Sequence, residues 1–170
     1  VSGSAVVEVL LVLLAGLLPV SEVRGAVPLA YVFFRQDLAL YALGLAAGLA
    51  GNLAVAPFAL CVLDAFERKV VLRERGPCFL RAACRRVIDY ARRRARRWRK
   101  VEFAALVAFV AVPLPATGAW TGSLIAYVLG MERREAILSV NVGVLIAFSI
   151  VLAVVEVGST ALKALFGLPI

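Results

Sequence analysis

Leu38 to Leu63 is a run of 26 residues without one charged side chain, and Ala136 to Val155 is a second such run of 20. A helix rises about 1.5 Å per residue and the hydrocarbon core of a bilayer is about 30 Å thick, so each run is long enough to cross. Apolar residues make up 63% of the 170-residue chain, against roughly half in an ordinary soluble domain. That excess needs a non-aqueous home. The chain reads as an all-α integral membrane protein, multi-pass in the cell membrane, with one membrane domain over residues 1–170.

Two further apolar stretches are interrupted. Ala5 to Leu18 carries Glu8 as its only charge and runs into PVSEVRGAVP (19–28), after which an apolar arm continues to Phe34. Phe103 to Val112 runs into PLPATGAWTG (113–122), and a second arm continues to Gly130. Proline lacks an amide donor and clashes inside a helix. Pro19, Pro28, Pro113 and Pro115 are therefore expected to break both stretches, and no single arm is long enough to cross. The pattern predicts two re-entrant helical hairpins, over 5–34 and 103–130.

Charge orients these pieces. From Glu67 to Glu102 there are 14 Lys or Arg and 4 Asp or Glu; the whole chain is +8, so the remainder sums to −2. The positive-inside rule puts this linker, 64–102, in the cytoplasm, and Arg133 and Arg134 on the same side. A segment with both ends inside crosses an even number of times, which 28 residues cannot do as full spans. The expected plan is two inverted repeats: hairpin 5–34 with membrane helix 38–63, then hairpin 103–130 with membrane helix 136–157. No Lys or Arg precedes Arg24, so the first stretch lacks a signal peptide's basic start and is expected to stay in the mature chain.

Within the linker, Leu80, Cys84, Val87, Ala91, Ala95 and Trp98 recur at helical spacing, with arginines largely on the other side. A basic amphipathic helix over 81–100 suits anionic lipid headgroups. A partner protein is an alternative; nucleic acid is not expected, because the segment is tethered between membrane helices.

The chemistry is expected at the breaks. Ionisable groups at membrane depth usually face a cavity or a partner, which selects Glu22 and Arg24. Irregular backbone in the membrane must be buried or line a cavity, so the two tips are expected to meet. Substrate or ion contacts are assigned to Glu22, Arg24, Gly25, Thr117, Gly118 and Trp120. Pro28 suits the first turn of an outgoing helix, and Thr117 is placed to cap the arm starting near Ala119. Gly44, Gly48 and Gly51 predict close helix packing. Asn52 and Asn141 are expected to hydrogen-bond between helices. Glu156 and Lys163 read as solvated.

The chain has no histidine, which removes His-based metal sites and general bases. Cys61, Cys78 and Cys84 lack ligand spacing and read as reduced thiols. No metal, cofactor or enzymatic activity is expected. Four apolar segments with polar tips leave little protein to bury them, so a homodimer or higher oligomer is expected.

PVSEVRGAVPLAY (19–31), GNLAVAPFALCVLDAFERK (51–69) and PLPATGAWTGSLIAYVLGM (113–131) resemble the small multidrug export protein family, itself distantly similar to the DedA superfamily of membrane transporters. The resemblance implies re-entrant hairpins, inverted halves, and export or lipid transport. Three readings stay open. One is a small-molecule exporter in which Glu22 supplies charge or carries a proton and Trp120 or Tyr127 an aromatic face. Another is a transporter or flippase of an anionic lipid such as a polyprenyl phosphate, held by Arg24 and helix N-termini. The last is a non-transporting scaffold or partner subunit. The residues alone lean slightly towards an anion, since an arginine and two helix N-termini converge and only one carboxylate does.

Overall fold

The computed structural model describes residues 3–72, 99–114 and 116–166. Among the described residues there are six α-helices and no strand: α1 (Gly3–Leu17), α2 (Glu22–Phe34), α3 (Leu38–Phe66), α4 (Arg99–Ala111), α5 (Ala119–Leu129) and α6 (Arg133–Phe166). A π-helical turn, Glu67–Leu72, continues α3. Two helices are long and apolar enough to cross a membrane, Leu38–Lys69 and Arg133–Ala161. The arginine helix expected over 81–100 lies outside the described residues except at its last two positions, as do Pro115, Cys78 and Cys84.

Local chemistry sets the ends. Asp37 caps α3, its Oδ1 accepting from the amides of Ala39 at 2.9 Å and Leu40 at 3.1 Å. Gly130 ends α5 in the left-handed region (φ 70°), with Met131 N–H returning to the Ala126 carbonyl at 3.1 Å, a glycine-closed C-terminus. The first break is narrower than the prolines suggested. Only residues 18–21 leave the helix, and Pro28 sits in the middle of α2 rather than at a break or in a first turn. A proline there strands one carbonyl, that of Arg24, and the helix tolerates it. The second break spans 112–118 and contains Pro113.

Side-chain contacts fix the directions. Val12 packs on Gly48 and Gly16 on Asn52, so α1 runs alongside α3 in the same direction. Ala26 meets Gly48 while Ala30 and Phe34 meet Gly44, so α2 runs back. A methyl on Gly16 would strike the Gly48 carbonyl, and one on Gly51 the Leu13 carbonyl; these glycines let α1 and α3 touch backbone to backbone. In the other half, Val107 and Val110 pack on Gly143, and Gly122 packs on Val110 and Val140.

The two long helices run in opposite directions. Tyr41 Oη donates to Glu156 Oε1 at 2.7 Å, joining the start of α3 to the end of α6. Arg133 Nη1 lies 3.6 Å from Asp64 Oδ2, joining the other two ends. Glu156 is therefore a hydrogen-bond acceptor and not merely solvated. The short helices cross over: α2 packs on both α3 and α6, and so does α5. The main core lies where they meet, with Val55, Ala56, Leu60, Val110, Ala119, Ala126, Val140 and Val144 all buried.

Candidate functional site

The two breaks meet at mid-height of the long helices. Leu17 ends α1 and Glu22 begins α2, while Pro113 to Gly118 lead into α5. Two non-glycine residues lie in the left-handed region here, Glu22 (φ 49°) at the first residue of α2 and Ala116 (φ 69°) in the second break. Such backbone costs of order 1 kcal/mol and persists where the surroundings impose it.

Glu22 is the centre. It is 3% exposed. Its Oε2 accepts from Arg24 Nη2 at 2.9 Å, and its Oε1 takes a long hydrogen bond of 3.4 Å from the backbone N–H of Trp120. Trp120 is the second residue of α5, so the carboxylate sits at that helix's N-terminus, where amides lack intrahelical partners and the dipole favours negative charge. Gly118 makes room: a Cβ there would overlap the Glu22 carboxylate. The N-cap of α5 is Gly118, without a side-chain cap of its own.

A second tie runs the other way. Trp120 Nε1–H donates to the Leu17 carbonyl at 2.9 Å, satisfying an acceptor freed by the end of α1, and its ring meets Phe58 edge-on at 6.0 Å. Each break thus satisfies backbone groups of the other. This placement gives backbone groups freed at the breaks partners within the protein.

Four of the expected site residues come together: Glu22, Arg24, Gly118 and Trp120. Two do not. Thr117 closes its own loop, with Oγ1 2.6 Å from the Val112 carbonyl and 2.8 Å from the Leu114 carbonyl, so Glu22 rather than Thr117 serves the start of α5. Gly25 faces Ser21 and allows a tight turn there, away from the cleft.

A narrow cleft opens beside the pair, walled by Glu22, Arg24, Asn52, Val110, Pro113, Ala119 and Val144 among others. Its free space, about 10 Å³, is room for roughly one water. Asn52 is the finding here. It is fully buried, and neither its amide nitrogen nor its oxygen has a hydrogen-bond partner among the described residues. The expected interhelical bond is not formed. Asn141 likewise leaves its Oδ1 unpartnered.

Burying an unpartnered amide costs roughly 1–3 kcal/mol. Asn52→Leu, which keeps the branched shape without the polar atoms and has the adjoining cleft to take its larger bulk, is therefore expected to raise stability by about 1 kcal/mol in thermal unfolding of the detergent-solubilised protein. A lower melting temperature would show that Asn52 is structurally satisfied. Asn52 was visible in the sequence as the one amide in an otherwise apolar run; that it borders the ion pair was not. The Leu17 carbonyl and Phe58 carried no signal at all.

Among the described residues no cluster of His, Cys, Asp or Glu could hold a metal. Comparison with curated proteins and with solved structures gives no match. A family model does match. It covers residues 22–150, from the first residue of α2 through the second break, with all of α3 and about half of α6, and is described as "Putative small multi-drug export protein". A match over most of the chain, spanning the residues that build the cleft, places this protein in that family of small multidrug export proteins.

Proposed function

We propose that the protein is a multi-pass membrane transporter that exports small molecules through the junction of its two breaks, with Glu22 as the working carboxylate. The observation that carries this is a single one: an ionisable side chain, 3% exposed at mid-height of two membrane-length helices, bridges the two halves beside an unpartnered amide. Buried carboxylates at membrane depth mark substrate or proton pathways.

The architecture under this reading is two inverted repeats. α1 and α2 form one re-entrant hairpin and α4 and α5 the other, with α3 and α6 as the spanning helices. The opposed directions of α3 and α6 support it, as does the crossed packing of α2 on α6 and α5 on α3. So do apolar side chains exposed along α1 and α6, such as Leu10, Leu14, Val154 and Val157, which suit lipid contact. The linker 64–102 is cytoplasmic in this scheme, its arginines meet anionic headgroups, and the protein works as a homodimer.

Substrate choice shifts from the slight lean towards an anion. The α5 N-terminus and Arg24, the groups that would hold a lipid phosphate, are engaged by the chain's own Glu22. The better fit is an organic cation with an apolar body. It would compete with Arg24 for the carboxylate, and the Phe58–Trp120 pair supplies an aromatic wall. A proton on Glu22 removes the charge that both Arg24 and the α5 amides recognise, loosening the tie between the breaks. Proton binding and cargo binding then use one carboxylate, the requirement for exchange.

The test is transport of a lipophilic cation from proteoliposomes under a pH gradient. Glu22→Gln is expected to bring transport to background, while Glu22→Asp keeps part of it. Wild-type rates in Glu22→Gln would refute the role of the carboxylate. A wild-type protein that moves no organic cation would refute the exporter reading.

A further inference from the structure

We infer that the seam between α3 and α5 is the passage by which cargo reaches the central cleft from the linker side, and that Tyr127, Glu67, Asp64 and Arg133 form its gate. The inference rests on the exporter reading for its cargo but not for its motion.

The starting point is a second cavity. At the end of α3, a pocket of about 130 Å³, against about 10 Å³ in the central cleft, is walled by Leu60, Asp64, Tyr127, Gly130, Met131 and Arg133. It lies in line with the central cleft along two helices at once. On α3, Asn52 borders the inner cleft while Leu60 and Asp64 border the outer pocket, and the positions 52, 56, 60 and 64 share one face at four-residue steps. On α5, Ala119 borders the inner cleft while Tyr127 and Gly130 border the outer pocket. On the facing sides of the two helices, Ala56 on α3 and Ser123 and Ala126 on α5 stand between the cavities, all fully buried. Asn52 to Leu60 is about 12 Å along the axis, and the layer between the cavities has small side chains at these facing positions.

Two contacts hold that layer shut. The Tyr127 hydroxyl donates to the Glu67 carboxylate, tying the end of α5 to the π-helical turn after α3. Arg133 pairs with Asp64 at 3.6 Å. The ion pair is about half exposed and contributes little by itself, so the hydrogen bond to Glu67 is the stronger element. π-helical turns often mark moving or functional sites. At the opposite end Tyr41 and Glu156 close α3 on α6, so the molecule is shut on both sides and its inner cleft is too small for an organic cargo. The outer pocket offers what such a cargo needs first: the Asp64 carboxylate, an aromatic ring at Tyr127, and apolar walls at Leu60 and Met131.

The test uses the full chain with Cys61, Cys78 and Cys84 replaced by serine and Ala56→Cys as reporter. Reaction with a membrane-impermeant maleimide is timed separately from each face of proteoliposomes. Removing one hydrogen bond to a carboxylate shifts a closed–open balance about tenfold, so Tyr127→Phe is expected to speed labelling by about that factor from the linker face. Tyr41→Phe, at the other end, should leave that rate unchanged. No acceleration in Tyr127→Phe, or equal acceleration in Tyr41→Phe, overturns the gate. If Ala56→Cys fails to fold, Ser123→Cys on the facing helix reports the same opening. The readout involves no cargo, so a protein that exports nothing could still pass it. Adding tetraphenylphosphonium then tests the cargo separately: slower labelling in Tyr127→Phe supports passage through the seam, and an unchanged rate refutes it.

Discussion

Gly118→Ala is expected to abolish export and to lower stability by about 3 kcal/mol, an effect out of proportion to one methyl group. The reason lies 96 residues away in the sequence. A Cβ at 118 occupies the place of the Glu22 carboxylate. The carboxylate ends a flexible side chain, but moving it breaks its 2.9 Å bond from Arg24 and its longer 3.4 Å bond from the Trp120 amide. It must leave, and both partners then lose a charged acceptor inside the protein. Equilibrium unfolding in detergent and transport in proteoliposomes measure the two effects. The double variant Gly118→Ala/Glu22→Ala should recover most of the stability, since the methyl then has room, but none of the export. If Gly118→Ala alone behaves as wild type, Glu22 does not sit at the start of α5.

How far the sequence foretold this can be judged residue by residue. The all-α class and the two long apolar helices were legible, because an uncharged run of 20 or more residues has few other homes. The breaks were legible in position but not in width. Proline marked both, yet Pro28 stands inside α2, since a helix can absorb one missing amide if the stranded carbonyl is tolerated. Glu22, Arg24, Gly118 and Trp120 could be named because charge and glycine are rare in such surroundings. Their pairing could not. Glu22 to Trp120 spans 98 residues and Tyr41 to Glu156 spans 115, and such contacts depend on how the halves cross rather than on local spacing. Thr117 misled for a related reason. A threonine before a helix is a good cap by local rules, but a buried carboxylate from the other half had already reached the amide.

The ion pair itself should prove asymmetric. Arg24→Met keeps most of the apolar stem and removes the charge, leaving Glu22, its side chain 4% exposed, without its cation. Stranding a buried charge costs roughly 3–5 kcal/mol, and the low end of that range is expected here because the α5 amide still holds one oxygen. Glu22→Gln should cost less, about 1–2 kcal/mol. Its amide oxygen can still accept from Trp120 N–H, and Arg24, with 21% of its side chain exposed, has a route to other acceptors. The double variant should resemble Glu22→Gln alone, giving a coupling energy of about 3 kcal/mol in a double-mutant cycle, the full cost of Arg24→Met. Transport separates structure from mechanism in the same set of proteins. If the pair only ties the breaks together, the well-folded double variant exports normally, because two neutral side chains of similar size fill the space. If Glu22 carries the proton or meets the cargo, export is lost in every variant that lacks it, however stable, and the stability recovered in the double variant brings no activity back.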